Sequence, residues 1–500
     1  MTAASVVRPL SDATLREHTR RVRVPTYDRS ALVPSVVHLG IGGFHRAHQA
    51  VYFDDLAQRR LSNQWGVVGV SLRHPHMKAA LDRQDCLFTV VQRDARGDEP
   101  RVVGAVTRCL FAPENPEAVL GALTDRRTRL VTLTVTGAGY NVDPLTREFD
   151  PHAAEVAADL ANPARAATAF ALLVEALARR RRAGERPFTV LSCDNIPNNG
   201  LTARTSLLGF ARLRDEVLAR WIDDEVAFPS SMVDRITPPT SPEMRAMVVR
   251  EFGVADRWPV VTEPFSQWIV EDCFCNGRPP LDELGVEFVA DAAPYNLVKT
   301  RLLNAGHSAV GYLGVLAGHM RMDEAMDDLL MREYLAALMA DEVAPLLPPA
   351  AGIDLAGYQR TLLQRFANPK IADPLSRLCG RGSTKMPAYL LPSVIESRRR
   401  GLPCPLLNLA VAGWFRYLRG TDGAGNHFEV QDVLRDTLQP LAVASGCDPR
   451  PLLAQRTIFG DLADDTEFVA ALGRALSALD RHGVRASIAA HLDAEAKRAA

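Results

Sequence analysis

The first 294 residues of the chain alternate short apolar runs with segments of helical periodicity. Four of the runs are rich in β-branched residues and almost continuously apolar, which is the pattern of parallel strands buried on both faces of a sheet. They are residues 35–39 (SVVHL), 65–70 (WGVVGV), 130–135 (LVTLTV) and 188–191 (FTVL). Helical stretches such as 116–123 and 153–182 lie between them. This alternation predicts an α/β fold with a right-handed, doubly wound sheet.

From about Tyr295 onward the strand pattern nearly vanishes, and apolar residues recur with the 3.6-residue period of amphipathic helices. The periodic segments are 297–316, 322–338, 355–366, 388–397, 406–418 and 468–479. We therefore expect two domains: residues 1–294, built on the sheet, and residues 295–500, which are mainly α-helical.

The composition argues against several classes of function. Lys and Arg total 58 against 59 Asp and Glu, so the chain has no broad positive field for nucleic acid or for an anionic membrane surface. The eight cysteines show neither a CxxC pair nor zinc-ligand spacing, and predict reduced thiols in a cytoplasmic protein without a metal site. No secretion signal is recognisable, and the most apolar stretches, 309–318 and 406–415, are too short to span a bilayer.

A glycine-rich turn follows the first predicted strand and opens a helical segment. It reads Gly40-Ile41-Gly42-Gly43-Phe44 and continues as HRAH. In this context glycines let the amides of a helix N-terminus approach a pyrophosphate, so these five residues are predicted to bind a dinucleotide in a Rossmann-type domain. The spacing is GxGGFHRAH rather than GxGxxG, and a tight structural turn is the alternative interpretation.

The second predicted strand runs into Leu72-Arg73-His74, where an NAD-specific Rossmann domain usually has an acidic residue for the ribose hydroxyls. The guanidinium of Arg73 suits a 2′-phosphate, and Arg73 is otherwise a solvated loop residue. We therefore expect NAD as the cofactor, with NADP as the alternative.

Three polar residues, Lys299, Asn304 and His307, lie on one predicted helix. At about 100° per residue they sit near 0°, 140° and 80°, which places all three on one side of it. A lysine among apolar neighbours can have its pKa lowered, so that its neutral amine accepts the proton of a substrate hydroxyl. An amide donor such as Asn304 stabilises the charge that builds on the substrate oxygen between alcohol and carbonyl. The segment therefore predicts alcohol oxidation with a lysine, rather than a metal, as the acid/base.

Asn195 is a second candidate amide. It lies in SCDNIPNNG (192–200), just past the C-terminal end of the predicted strand 188–191, where α/β sheets place their ligands. Asp, Asn, Pro and Gly also favour turns, so a simple turn is the alternative for this segment. His307 taken alone is more typical of a satisfied core histidine, and its spacing from Lys299 argues against that interpretation.

Six segments, in the right order, resemble the polyol-specific long-chain dehydrogenases, the mannitol dehydrogenase family. They are 40–49 (GIGGFHRAHQ), 192–200 (SCDNIPNNG), 232–238 (MVDRITP), 263–272 (EPFSQWIVED), the helix carrying Lys299, Asn304 and His307, and 383–387 (STKMP). The resemblance covers nearly the whole chain. It implies an N-terminal Rossmann-type domain, a mostly helical C-terminal domain, and a substrate cleft between them.

The resemblance also implies a role for each matching residue. Lys299 would be the general acid/base, Asn195 and Asn304 would form the oxyanion hole, and His307 would hold and orient a substrate hydroxyl. The polar wall that grips the polyol would be completed by Asp234, Arg377 and Lys385.

The reaction implied is the reversible, NAD(P)-dependent oxidation of a secondary alcohol in a sugar alcohol, with D-mannitol to D-fructose as the first expectation. D-arabinitol, mannitol 1-phosphate and a hexuronate reduced at its keto group stay open, the phosphorylated substrate because Arg377, Arg381 and Lys385 offer a basic clamp. A metal-dependent alcohol dehydrogenase and a non-catalytic Rossmann binding protein are alternatives of other kinds. The oligomeric state is not predicted, and a monomer is compatible with the sequence.

The chain departs from the family pattern at three places. Asn296 stands where relatives often have a glutamate shortly before the lysine, and Gly137 stands at the acidic position of a TEGGY segment. Pro75-His76 replaces an acidic pair after the second strand. These positions bear on the particular polyol, the pH profile and the choice between NAD and NADP, while the Lys, Asn, Asn and His set is unchanged.

Overall fold

A computed structural model describes residues 7–143, 146–348 and 353–499. The chain forms two compact units that divide between Ala293 and Pro294, and we call them the first and the second unit.

The strands of the described residues all belong to the first unit. In chain order they are β1 (Arg8–Pro9), β2 (Val36–Leu39), β3 (Val67–Ser71), β4 (Phe88–Asp94), β5 (Gly97–Val103), β6 (Val106–Phe111), β7 (Leu130–Leu133), β8 (Thr189–Ser192), β9 (Ser231–Asp234), β10 (Val254–Ala255), β11 (Val260–Thr262), β12 (Gln267–Glu271) and β13 (Glu287–Val289).

Five of these strands form the main sheet in the order β6-β3-β2-β7-β8, with every neighbouring pair parallel. The register places Val36 of β2 between Val67 of β3 and Leu130 of β7. The four strands predicted from apolar runs are β2, β3, β7 and β8, so the predicted parallel α/β sheet is confirmed.

Helices cover both faces of this sheet. The first unit contains α1 (Gly43–Ala47), α2 (Gln49–Gln58), α3 (His76–Asp82), α4 (Pro116–Thr124), α5 (Ala154–Ala161), α6 (Ala169–Arg182), α7 (Asn199–Arg214), α8 (Glu216–Glu225) and α9 (Pro242–Met247). Side chains of β2 alternate between the faces: Val37 and Leu39 join the core formed with α4, α6 and α7, whereas Val36 joins the core formed with α2. Both faces are therefore apolar, as a doubly wound sheet requires.

Smaller sheets were not predicted from the sequence. They have the orders β11-β4-β5, β13-β12-β9 and β1-β10, and they mix parallel and antiparallel pairs. Most of these strands are short or half-exposed and lack a long apolar run. The apolar, buried first half of β4, residues 88–91, was missed.

The second unit is mainly α-helical in its described residues, as predicted. Its helices are α10 (Ala293–Val298), α11 (Ala305–Leu316), α12 (Met322–Asp327), α13 (Leu329–Ala337), α14 (Leu355–Phe366), α15 (Leu375–Cys379), α16 (Gly382–Tyr389), α17 (Leu391–Arg399), α18 (Pro405–Tyr417), α19 (Arg435–Ser445), α20 (Arg450–Leu453), α21 (Arg456–Phe459) and α22 (Thr466–Ala499). The last of these is interrupted at Gly483, where φ is +75°.

Some predicted helices were too long. The segment 153–182 is two helices, because Pro163 disfavours the helical conformation of Asn162, which has φ −142° and ψ 74°. The segment 322–338 breaks at Asp328, whose carboxylate accepts a hydrogen bond from the Leu330 amide (3.1 Å) and so starts a new helix.

In the part of the chain that the structure describes, no helix combines the length and the apolar character needed to cross a bilayer.

Candidate active site

Gly40, at the end of β2, is required by the backbone itself. Its φ is +104°, and a Cβ there would lie 2.2 Å from the carbonyl oxygen of Thr134. The amides of Gly40 and Ile41 both donate to the carbonyl of Val70 (2.9 and 3.1 Å), which fixes the turn to β3. Only glycine therefore fits position 40.

No contact within the protein requires glycine at positions 42 and 43. A Cβ at Gly43 would meet nothing within 4 Å, and one at Gly42 would meet only the carbonyl oxygen of Gly40, at 3.7 Å. The helix α1 begins at Gly43 without a side-chain cap, and its first-turn amides are not paired within the helix. The turn from Gly40 to Phe44 thus presents an open backbone surface that a pyrophosphate can approach.

A pair of buried histidines lies under this turn. The rings of His38 and His45 stack with centroids 3.4 Å apart. His38 is hydrogen-bonded to the hydroxyls of Thr132 (2.7 Å) and Thr134 (2.9 Å), and burial lowers its pKa to about 3. Both ring nitrogens of His45 lack a hydrogen-bond partner among the described residues, and burial holds its pKa well below the usual value. Neither ring carries a charge at neutral pH.

Arg73 lies in the exposed loop between β3 and α3. The Ser71 hydroxyl donates to the His74 carbonyl (2.7 Å) and shapes this loop. Among the described residues Arg73 forms no ion pair, so its guanidinium is available to an anionic ligand.

The end of β8 is locked by a buried network. Asp194 accepts hydrogen bonds from the amides of Val135 (2.9 Å) and Thr136 (2.8 Å) and from the hydroxyl of Tyr140 (2.8 Å). Asn199 donates to the carbonyls of Asp194 (3.0 Å) and Ser231 (2.8 Å), so β8 and β9 are joined here.

Asn195 follows this network with an exposed side chain, at the carboxyl edge of the sheet where it was predicted. Asp194 and Asn199 were missed as individual residues, although SCDNIPNNG had been recognised as a segment.

Asp234 is the last residue of β9 and is buried. The next residue, Arg235, donates to the carbonyls of Glu263 (3.1 Å) and Ala47 (2.5 Å), and burial lowers its pKa to about 10. Two carbonyls and a neighbouring strand therefore hold the chain in place immediately after Asp234.

The second unit carries Lys299, Asn304 and His307 on one continuous helical stretch. Lys299–Asn304 form a π-helical turn between α10 and α11, so the uniform 100° spacing used for the prediction is wrong across this turn. Lys299 and Asn304 are buried, with 5% and 7% of their surface exposed, and the Asn304 Nδ2 has no partner among the described residues. A buried amide donor without a partner is available for a substrate oxygen.

His307 lies in the first turn of α11, with its ring stacked on Phe366 (centroids 4.2 Å apart). Its Nε2 has no partner among the described residues. Burial, followed by the positive charges of Arg377, Arg365, Lys385 and Lys299, holds its pKa well below the usual value. His307 is thus a neutral ring within the field of four cations, suited to exchange hydrogen bonds with a hydroxyl.

Arg377 and Lys385 surround this histidine from neighbouring elements. Arg377 donates through Nε (2.6 Å) and a terminal nitrogen to both oxygens of Asp373. Lys385 donates to the carbonyl of Leu378 (2.9 Å), and burial, with Arg377 nearby, lowers its pKa to about 8. Sequence reasoning missed Asp373, Phe366 and Arg365, because nothing in their local pattern distinguishes them from helix-surface and core residues.

The predicted residues therefore fall into two sets. Lys299, Asn304, His307, Arg377 and Lys385 lie together in the second unit. The residues of the first unit are Gly40, Ile41, Gly42, Gly43, Phe44, Arg73, Asn195 and Asp234. In the described ranges, no three His, Cys, Asp or Glu side chains are grouped as metal ligands.

Two family models match the chain: the mannitol dehydrogenase Rossmann domain over residues 34–283, and the mannitol dehydrogenase C-terminal domain over residues 291–480. The chain is 45% identical to mannitol 2-dehydrogenase of Phaeosphaeria nodorum, covering 97% of this chain and 87% of that one. It is 42% identical to mannitol dehydrogenase 2 of Saccharomyces cerevisiae, covering 97% of each.

Two solved structures are similar over nearly the whole length. The Pseudomonas fluorescens mannitol 2-dehydrogenase, in a ternary complex with NAD and D-mannitol, superposes with a TM-score of 0.90 at 39% identity, over 97% of this chain and 100% of that one. A D-sorbitol dehydrogenase in substrate-free form superposes with a TM-score of 0.87 at 35% identity, over 96% of this chain and 100% of that one.

Proposed function

The chain belongs to the mannitol dehydrogenase family, and on this premise we propose that it catalyses the reversible oxidation of D-mannitol to D-fructose with NAD. The observation that carries the proposal is the buried pair Lys299 and Asn304, with the half-buried His307, within a chain similar over its whole length to mannitol 2-dehydrogenases. The P. fluorescens enzyme binds NAD and D-mannitol in its ternary complex, which supports the same pair here.

The turn from Gly40 to Phe44 fits a dinucleotide. Gly42 and Gly43 leave open space where a side chain would otherwise stand, and this is the space that a pyrophosphate needs. When bound, the nicotinamide accepts the hydride of the alcohol or returns it to the ketone. NADP is a second cofactor to test. The strand β3 does not end in a carboxylate that would favour the free ribose hydroxyls of NAD, and the guanidinium of Arg73 suits a 2′-phosphate.

Lys299 is proposed as the general acid/base. Oxidation of a secondary alcohol requires removal of the hydroxyl proton as the hydride leaves carbon, and reduction of the ketone returns that proton to oxygen. A buried amine serves both directions when its two protonation states are close in free energy, which burial promotes for lysine. The reaction needs no metal in this scheme.

Asn304 and Asn195 are proposed as the amides that stabilise the developing charge on the reacting oxygen. The unpaired Asn304 Nδ2 is prepared for this, because a fixed donor needs little reorganisation as charge builds. His307, Asp234, Arg377 and Lys385 would then hold the other hydroxyls. A site that pairs each hydroxyl can discriminate strongly among sugar alcohols, since a missing partner leaves a buried polar group unsatisfied.

The proposal also covers the roles of the two domains, the location of the enzyme and its need for a partner chain. Residues 1–294 act as the dinucleotide-binding domain and residues 295–500 as the substrate domain. The enzyme works in the cytoplasm on a small-molecule polyol or ketose. No partner chain is required by the scheme.

The test is reduction of NAD or NADP, followed at the absorbance band of the reduced cofactor, with a panel of polyols. The panel contains D-mannitol, D-sorbitol, D-arabinitol and mannitol 1-phosphate, and the reverse reaction is run with D-fructose and a keto-hexuronate. Fastest turnover with D-mannitol and NAD, unchanged after exhaustive chelation, is expected. Faster turnover of an anionic substrate would replace D-mannitol as the proposed substrate. Loss of activity on chelation would indicate a metal-dependent mechanism. Cofactor binding without turnover of any substrate would indicate a non-catalytic protein.

A further inference from the structure

Arg46 is a completely buried cation immediately behind the Gly40–Phe44 turn. None of its surface is exposed, although arginine is rarely found in that state without an ion pair. Its Nε donates to the carbonyl of Gly42 (3.3 Å), a terminal nitrogen donates to the carbonyl of Trp258, and the guanidinium lies 5.4 Å from the centre of the Phe88 ring. The other terminal nitrogen has no partner among the described residues.

The charge of Arg46 is poorly compensated within the protein. It forms no ion pair among the described residues, and the acidic group that most offsets it is Asp256. The Asp256 oxygens already accept hydrogen bonds from the side chain of Gln84 (2.8 Å) and the amides of Thr89 and Trp258 (the last 2.8 Å). Burial lowers the pKa of Arg46 to about 10, so the guanidinium stays protonated at neutral pH.

The location of Arg46 adds to the excess of positive charge. Its side chain folds back toward Gly42, at the start of α1, where first-turn amides that have no partner within the helix also carry partial positive charge. A buried cation beside such amides is stabilised by a negative charge on the other side of them.

From these contacts we propose that Arg46 is a positioning residue for the dinucleotide: it holds the Gly42 peptide in place and supplies buried positive potential for the pyrophosphate, which it does not touch. The inference rests on the proposed function, because it requires a dinucleotide at the Gly40–Phe44 turn.

Arg180 provides a matched control. It is also buried, donates only to carbonyls (Arg186 at 2.6 Å, Leu123 at 3.1 Å, Asp125 at 2.8 Å), and lies 5.6 Å from the ring of Phe188. Two of those carbonyls, however, belong to the end of α4, where a cation complements the helix dipole. The charge of Arg180 is therefore compensated locally.

The experiment compares wild type, Arg46→Gln, Arg46→Lys and Arg180→Gln by calorimetric titration with ADP-ribose, which carries the pyrophosphate, and with adenosine, which carries no charge. Arg46→Gln should raise the Kd for ADP-ribose by at least about tenfold, and the Kd for adenosine by less than about twofold. Arg46→Lys should keep most of the affinity, and Arg180→Gln should lower the thermal midpoint while leaving both Kd values of the folded protein unchanged.

If Arg46→Gln does not fold, the pH dependence of Arg46→Lys gives the same information. A buried lysine loses its proton at lower pH than an arginine, so the ADP-ribose affinity of Arg46→Lys should fall between about pH 7 and 9, where the wild-type guanidinium stays protonated and its affinity should not change.

Equal losses for ADP-ribose and adenosine, or no loss for either, would overturn the inference and leave Arg46 a packing residue. Failure of wild type to bind ADP-ribose would overturn the dinucleotide assignment itself, and the inference with it.

Discussion

Each unit contains a histidine on or beside a predicted functional segment, fully buried in the first unit and half-buried in the second, and the two histidines differ in what surrounds them. His45 in the first unit stacks on another histidine, with Arg46 and His48 as its other charged or titratable neighbours. His307 in the second unit stacks on Phe366 and lies in the field of two arginines and two lysines. Burial is the largest cause of the depressed pKa in both.

The difference shows that burial does not identify a functional histidine. His45 supports the backbone beneath a turn that needs no side-chain chemistry, because glycine amides are proposed to meet the ligand there. His307 stands among Lys299, Arg377 and Lys385, each able to meet a hydroxyl. The four cations around this neutral ring are the feature that marks the second site.

The largest effect that would test this contrast is expected for Lys299→Met. Methionine fills the buried space without an ionisable group, so kcat for D-mannitol should fall by roughly 10² to 10⁴ with little change in the thermal midpoint. Steady-state kinetics and thermal unfolding check both statements. Retention of more than a tenth of the wild-type kcat would remove Lys299 from the acid/base role.

A paired substitution of the histidines comes next. His307→Asn should lower kcat/KM for D-mannitol by about one to two orders of magnitude, because a hydroxyl partner is lost in a buried site. His45→Asn should lower stability and leave the polyol KM unchanged, since no predicted contact to the polyol involves its ring. Similar losses of kcat/KM in the two variants would contradict the claim that only His307 contacts the polyol.

The glycines of the turn allow a finer comparison within the first unit. Gly40→Ala should destabilise the fold by several kcal/mol, about 1–3 of them from the left-handed backbone alone, because its Cβ meets the Thr134 carbonyl. Gly43→Ala should leave the free energy of unfolding within about 1 kcal/mol of wild type, yet weaken NAD binding. Urea unfolding and calorimetric titration separate the two effects, and unaltered NAD affinity in Gly43→Ala would contradict the proposed approach of the pyrophosphate.

The smallest expected effect is on the pH dependence of stability. The pKa of His307 is depressed in the folded protein, so below about pH 6.5 the unfolded chain binds a proton that the folded chain does not, and stability falls as pH falls. The slope of unfolding free energy against pH, between about pH 4.5 and 6, should be about 1.4 kcal/mol per pH unit lower in His307→Asn than in wild type. His45→Asn should give the same reduction, and an unchanged slope in either variant would mean that its histidine is protonated in the folded state.

Much of this architecture could be predicted from the sequence. The strands β2, β3, β7 and β8 could be predicted because strands buried on both faces of a sheet need continuous apolar runs. The helices of the second unit could be predicted from the 3.6-residue period of their apolar residues. The π turn from Lys299 to Asn304 could not be predicted, because its residues have ordinary helical propensity and tertiary packing imposes the extra residue.

The candidate site was predictable where a residue type is unusual in its setting and not where it is ordinary. Lys299 and Asn304 stand out on an apolar helix, and the glycines stand out after a strand. Asp373 and Arg377 have the i,i+4 spacing of an ordinary ion pair on a helix surface, so their spacing does not distinguish them. Arg46 contacts the carbonyl of Trp258, 212 residues away, and a contact of this kind leaves no local pattern in the sequence.

The central claim, that the Lys299 amine transfers the proton, is tested most directly by chemical rescue of Lys299→Ala. Primary alkylamines of graded basicity would be added to this variant, with NAD and D-mannitol at saturation and with Lys385→Ala as the matched control. The account predicts that turnover of Lys299→Ala rises with amine concentration and with amine basicity, and that Lys385→Ala does not respond. Full activity of Lys299→Ala without amine, or equal rescue of both variants, would contradict it.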